Sequence, residues 1–276
     1  MAALDLEAEY DNRRRVPGHG DMQTRWTAQS EAYVKEVKGE LDQSYGSGAR
    51  HKYDLFRPRQ GGGSSPLVVY IHGGYWQRGD RKMYGFIAKA LNSRGLAVAI
   101  PSYSLCPSVG VIDIVGELRQ CLKTLWEKTK QRPVVVGHSA GGHLAACMLA
   151  TDWSKVGGVP GDLVKAAYSL SGVFDLEPLV ATSLNQALKL DAAKAKAASP
   201  LLWPAPAKER TFVAAAGGEE SQEFIRQSLE IAGAWSRADV KAECVIVPGG
   251  DHFSIVEELA RPESAMHARV VAMAKA

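Results

Sequence analysis

The chain has 276 residues, 46% of them hydrophobic and 23% charged, a balance that excludes disordered and fibrous classes. With 33 basic residues against 30 acidic ones the net charge is +3, which makes no case for a nucleic-acid partner. Met1 to Asn12 carries Asp5, Glu7, Glu9 and Asp11 where a secretory leader needs basic residues, and no segment approaches 18 uninterrupted apolar residues; no signal peptide, membrane span or membrane partner is expected.

The length suits one large α/β domain. Residues 1–45 are polar and read as helical pieces of an N-terminal arm, with Trp26, Tyr33 and Val37 as anchors. Its basic run, Arg13-Arg14-Arg15 with Arg25 beyond, reads as a solvated turn or as arginines tying the arm to carboxylates on the body. His51 to Pro58 suits a strand ended by a proline, and Gly61 to Ser65 a flexible turn. Leu67-Val68-Val69-Tyr70-Ile71 is a continuous apolar run of the kind found in strands buried on both faces. From here the pattern alternates. A helix over 81–94 is followed by a strand over 96–100. A helix over 111–129 carries Ile112, Val115, Leu118, Leu122 and Leu125 at helical spacing. Strands follow at 133–136, 166–171, 211–216 and 243–247, with helices at 141–151 and 222–237 and a largely helical end at 255–275. Alternation of this kind predicts a mostly parallel central sheet with helices on both faces, an α/β class. Residues 172–210, with Pro200, Pro204 and Pro206, interrupt it and read as a lid or cap over the carboxyl ends of the strands. Cys106, Cys121, Cys147 and Cys244 lack metal spacing and read as a reduced set in a cytoplasmic protein.

The strongest chemical signal is Gly137-His138-Ser139-Ala140-Gly141, placed between a strand and a helix. That context defines a nucleophile elbow: a tight turn lifts the serine hydroxyl above the sheet, and the helix behind it offers backbone N–H groups to a developing anion. His72-Gly73-Gly74-Tyr75-Trp76, at the end of the 67–71 strand, suits the loop that completes an oxyanion hole. The candidate donors are the N–H groups of Gly74, Tyr75 and Ala140. A serine nucleophile needs a base and an orienting acid, which in this fold follow in the order serine, acid, histidine. His252, in a loop just past the 243–247 strand, suits the base; His267 lies inside the last helix. For the acid, Glu220 is favoured over its neighbour Glu219, with Asp251 third because it adjoins the base.

With these residues assembled, the chain resembles the arylformamidase (kynurenine formamidase) family of α/β-hydrolases. The resemblance runs from Glu9-Tyr10-Asp11-Asn12-Arg13 to the final helix. Its most specific marks are the His72–Trp76 loop and Ser221-Gln222-Glu223-Phe224-Ile225-Arg226-Gln227-Ser228, which follows Glu220; Gly137–Leu144, Leu170–Pro178 and Asp251–Glu257 complete the set. It implies an α/β-hydrolase fold and puts the acid role on Glu220, where the family usually carries Asp. It also implies hydrolysis of N-formylkynurenine to kynurenine and formate, on machinery that cleaves aryl esters as well.

Aromatic residues beside the motifs suit an aromatic amide or ester substrate. Tyr75, Trp76, Tyr103 and Phe253 are the candidate contacts, with Ser104, Phe174 and Trp203 nearby; core packing is the plainer role for Trp76 and Phe174. The mechanism these residues imply calls for no metal or organic cofactor, and a homodimer is left open. Three functions fit: an arylformamidase-like amidohydrolase, a carboxylesterase or carbamate hydrolase on short-chain aryl esters, and a catalytically silent binding module.

Overall fold

The computed structural model describes residues 4–59 and 64–276. Gly61, Gly62 and Gly63 of the expected flexible turn lie outside them, as do the first three residues of the arm. Eight strands form one sheet: β1 (Glu40–Ser44), β2 (Lys52–Phe56), β3 (Leu67–Ile71), β4 (Ala97–Pro101), β5 (Val134–His138), β6 (Ala166–Leu170), β7 (Thr211–Gly217) and β8 (Lys241–Val247). Their order is β1-β2-β4-β3-β5-β6-β7-β8. The β1/β2 and β2/β4 pairs are antiparallel and every other pair is parallel.

The expectation of helical structure up to residue 45 needs correction at its end, because Glu40–Ser44 is a strand. Its pairing with β2 (Glu40 opposite Leu55, Ser44 opposite Lys52) overrides a weak local preference. The arm itself is α1 (Leu6–Tyr10), α2 (Asn12–Arg15) and α3 (His19–Glu36). Trp26 and Tyr33 are buried as anchors, with the Trp26 indole N–H donating to Glu257 (2.9 Å) and the Tyr33 hydroxyl to Asn92 (2.5 Å).

Between the strands lie α4 (Gly85–Asn92), α5 (Val111–Thr129), α6 (Ala140–Ala150), α7 (Asn185–Leu188), α8 (Ala192–Ala197) and α9 (Gln222–Arg237), and after β8 come α10 (Ser254–Ala260) and α11 (Ala265–Lys275). The last two replace the single expected helix; the break contains Pro262, which cannot donate to a helical ladder. In α5 the buried stripe is Val111, Ile114, Val115, Leu118, Cys121, Leu122 and Leu125, whereas Ile112 is exposed. Ile112 therefore sits one position off the stripe that its neighbours Val111 and Ile114 define.

Alternation along the strands divides the interior into two cores. Leu67, Val69 and Ile71 face one core with α5, α6, α9 and the 172–210 segment; Val68 and Tyr70 face the other with α3, α4, α10 and α11. Burial on both faces explains why β3 and β4 read as unbroken apolar runs. The parallel strands all deliver their carboxyl ends to one edge, and the loops leaving β3, β5, β7 and β8 meet there.

Candidate active site

Ser139 lies between β5 and α6 with φ 55° and ψ −120°, a conformation costly for a residue with a Cβ and held here by its surroundings. The Ser139 N–H donates to Leu170 O (2.8 Å), and its carbonyl accepts from His143 N–H (3.1 Å). The crossing is close enough that a Cβ at Gly141 would lie 2.0 Å from Ile71 O, so the last position of the motif must be glycine.

The Ser139 hydroxyl lies 3.1 Å from His252 Nε2, and His252 Nδ1 lies 2.8 Å from Glu220 Oε2. All three residues are buried. The other Glu220 oxygen accepts from Ser171 Oγ (2.5 Å) and from Gly217 N–H (2.6 Å), which fixes the carboxylate and leaves Oε2 for the imidazole. A carboxylate accepts at Oε2, so Nδ1 carries the proton and Nε2 presents its lone pair to Ser139. The His252 ring is wedged between Phe224 (4.7 Å) and Phe253 (5.5 Å), both edge-on. Glu219, one residue earlier, is exposed. Asp251 is committed elsewhere: its Oδ1 accepts from Phe253 N–H (2.7 Å) and Ser254 N–H (2.8 Å) at the start of α10.

His138, the variable position inside the elbow, contributes a contact that the sequence did not suggest. Its Nε2–H donates to His252 O at 2.6 Å. Burial, reinforced by the neighbouring His252 ring 4.8 Å away, holds its imidazole well below the usual histidine range. A neutral His138 is thus a fixed donor that pins the backbone of His252. No motif marks such a role; it comes from β5 and the β8 loop converging 114 residues apart.

The oxyanion candidates lie on two neighbouring loops at this edge. Ala140 opens α6, where the first N–H groups have no helical acceptor. Gly74, Tyr75 and Trp76 all have positive φ (118°, 51° and 56°), and the turn they form closes through Gln77 and Arg78 N–H to Gly74 O. Among the described residues, none of the turn's backbone bonds uses the N–H of Gly74 or Tyr75. A side chain at Gly73 would strike His138 O and Ser139 Cβ, so the two loops pack backbone to backbone.

Ser139 and His252 open onto a cavity of about 370 Å³, lined also by Tyr75 and Phe253. The other two expected aromatic contacts are corrected. Trp76 is fully buried and packs edge-on against His143 (5.0 Å). Tyr103 is fully buried, stacked on His72 (4.4 Å), and its hydroxyl donates to His72 O (2.9 Å). Phe174 packs on Phe212 in the core, and Trp203 lies under the Arg119 guanidinium (5.9 Å). Ser104 is turned to His51 and Glu117 instead of the cavity.

The cavity's upper wall is also corrected. Residues 172–210 supply only Ser183 and Leu184, while the N-terminal arm supplies Glu7, Tyr10, Asp11, Asn12 and Arg13. The arm is held by the stretch that carried the family resemblance. Tyr10 Oη donates to Glu223 (2.8 Å), Gln227 Nε2 donates to Tyr10 Oη (2.8 Å), and Gln227 Oε1 accepts from Phe174 and Asp175 N–H (2.5 and 2.8 Å). The Tyr75 hydroxyl donates to Tyr10 O (2.6 Å) and accepts from Asn12 Nδ2 (3.0 Å), which joins the arm to the Gly74 turn. Of the basic residues, Arg25 pairs with Glu257 on the body (3.0 Å), whereas Arg15 pairs with Glu9 inside the arm (3.6 Å) and Arg13 faces the cavity.

A mostly parallel sheet with a serine elbow, a histidine and a carboxylate on its carboxyl edge defines an α/β-hydrolase. Residues 53–216 match the BD-FAE family model. The chain is 33% identical over 225 residues to the kynurenine formamidase of Danio rerio, covering 79% of this chain and 76% of that protein. It is 32% identical over 232 residues to the kynurenine formamidase of Drosophila melanogaster, covering 80% and 76%. A crystal structure from Silicibacter sp. TM1040, of a protein proposed to be a thioesterase, matches with a TM-score of 0.87 at 34% identity over 99% of this chain and 100% of that one. The chain belongs to the kynurenine formamidase family, and it is a hydrolase. Among the described residues no helix is long and apolar enough to cross a membrane.

Proposed function

We propose that the chain is a serine hydrolase that removes a small acyl group from an aromatic amide, N-formylkynurenine in the first place, giving kynurenine and formate. The observation that carries this reading is the Ser139–His252–Glu220 chain of hydrogen bonds at 3.1 and 2.8 Å. His252 Nε2 takes the Ser139 proton as the hydroxyl attacks the formyl carbonyl, and Glu220 stabilises the imidazolium. The N–H groups of Gly74, Tyr75 and Ala140 hold the tetrahedral oxyanion, each donor lowering the barrier by about 3 kcal/mol. His252 then protonates the leaving arylamine. Water, deprotonated by the same histidine, releases formate and restores Ser139.

The substrate part of the reading rests on the formamidase relatives and on the confined cavity. Formyl carries only hydrogen on the carbonyl carbon, so a small acyl site suffices, and Tyr75, tied to the arm through its hydroxyl, limits that site. The same machinery serves short-chain aryl esters, which have better leaving groups; this is the second reading. Among the described residues the four cysteines are unbridged, which suits the cytoplasm.

Ser139→Ala should leave a folded protein with turnover lowered by at least about 10³-fold. Assay of the purified variant beside the wild type on N-formylkynurenine and on p-nitrophenyl acetate and butyrate checks both parts. Near-normal activity of the variant removes the serine mechanism. A wild type that prefers butyrate and ignores N-formylkynurenine moves the chain to the esterase reading.

A further inference from the structure

The cavity above Ser139 is lined by two arginines that the mechanism does not use. Arg13 comes from α2, and Arg78 from the turn closed by its own N–H on Gly74 O (3.1 Å), the turn that carries the oxyanion candidates. Most arginines of this chain are tied to carboxylates, among them Arg25 to Glu257, Arg57 to Glu40 and Arg132 to Asp162. Among the described residues, neither Arg13 nor Arg78 makes an ion pair or a side-chain hydrogen bond. Burial, and then repulsion from Arg78, pulls the Arg13 guanidinium below its ordinary value, with Asp11 opposing; the two cations therefore feel each other.

The acidic groups on the same wall are already engaged. The Glu7 carboxylate accepts from Ser183 N–H (2.8 Å) and Ser183 Oγ, and Asp11 Oδ1 accepts from Arg14 N–H (3.1 Å). Two exposed guanidiniums on one cavity wall, neither paired directly with a carboxylate, stand beside Ser139 and offer a site for an anion. The planar donor fork of arginine matches a carboxylate.

We propose that Arg13 and Arg78 form a carboxylate-recognition pair, so that preferred substrates carry a carboxylate remote from the scissile carbonyl. This rests on the reading of Ser139 as the nucleophile and adds what selects among acyl arylamines. The arm then contributes to specificity directly, since Arg13 is positioned only when Tyr10 and Asn12 are docked.

The test compares kcat/KM for 4-(2-formamidophenyl)-4-oxobutanoate, which is N-formylkynurenine without its amine, with that for 1-(2-formamidophenyl)butan-1-one, in which a methyl group replaces the carboxylate. The ratio should favour the carboxylated substrate in the wild type. It should fall by about 10-fold in Arg78→Gln and in Arg13→Gln, and further in the double variant, as the loss of charge-assisted hydrogen bonds implies. Arg78→Lys should recover part of it. A second measurement uses the wild type alone: 3-benzoylpropanoate should inhibit hydrolysis of a neutral aryl ester at least about 10-fold more tightly than butyrophenone. A ratio unchanged in the double variant, or equal inhibition by the two ketones, overturns the pair. Fluorophosphonate labelling of Ser139 separates the two layers: labelling with an unchanged ratio strikes only the arginines, whereas a wild type that does not label strikes the serine mechanism itself.

Discussion

The floor and the roof of the cavity are built in opposite ways. The floor, made of Ser139, His252, Glu220 and the Gly74 turn, stands on strand ends, and its polar atoms are fixed several times over: Glu220 alone engages Ser171, Gly217 and His252. The roof is a short arm of two helical turns, α1 and α2, whose hold on the body runs through Tyr10, Asn12 and Glu9 to residues 63 to 214 positions away. A floor residue has one geometry because the sheet gives it no alternative. A roof residue keeps its place through a few hydrogen bonds and the burial of Tyr10 against Phe224. The floor should therefore govern the chemical step, and the roof should govern which substrate is held for it.

Breaking the floor should have the largest effect. Glu220→Gln keeps the shape of the side chain and removes the charge opposite the imidazolium, so kcat should fall by about 10³–10⁴-fold. Glu219→Gln, at an exposed position one residue earlier, should stay within about twofold. If the Glu219 variant is the inactive one, the assignment of the orienting carboxylate is wrong.

Next come the buried histidines that pack around the floor. Burial pushes His72 and His143 down to about 4, against an ordinary value of 6.5. Between those values the unfolded chain binds protons that the folded one refuses. Stability is therefore fully present above pH 6.5 and declines as pH falls towards 4, by up to about 3 kcal/mol for each histidine. Thermal denaturation across pH 7.5 to 4 checks this, and a melting temperature that stays level over the range contradicts it.

Loosening the roof should cost less and should appear in a different constant. Tyr10→Phe removes the hydroxyl that bridges Glu223 and Gln227, a loss of about 1 kcal/mol of arm docking. KM for N-formylkynurenine should rise several-fold while kcat changes little. An equal fall in kcat would place the arm in the chemical step and erase the contrast between the two regions. Trp203→Ala should have the smallest effect, within about twofold on either constant, because Trp203 sits against Arg119 away from the cavity. A large loss there would return the 172–210 segment to the lid role that its sequence suggested.

The legibility of the two regions differs for a physical reason. Gly137-His138-Ser139-Ala140-Gly141 was readable because a tight elbow admits few residue types, and Gly141 leaves no room for a Cβ. Helix α5 was readable in its bounds and in its stripe from Val115 onward, though not at Ile112, and β3 from its unbroken apolar run. Glu220 could be favoured but not separated from Glu219 by the turn alone; the separation lies in which side chain the β7 turn buries. The roof left almost no local trace. Arg13 reads as one more surface arginine, and Trp76 and Tyr103 read as candidate contacts until the core claims them.

By itself, then, the order of residues determined what short-range geometry and periodicity can determine: a mostly parallel sheet, the elbow at Ser139, the glycine turn after β3 and the histidine that follows β8. Only the tertiary structure decided that His138 pins His252, that Tyr10 and Gln227 dock the arm, and that Arg13 and Arg78 share one cavity. The physical reason is separation along the chain. Those contacts join residues 65 to 217 positions apart, their partners are ordinary polar side chains that suit many surroundings, and nothing in local pattern or spacing states which of them the folded sheet will bring together.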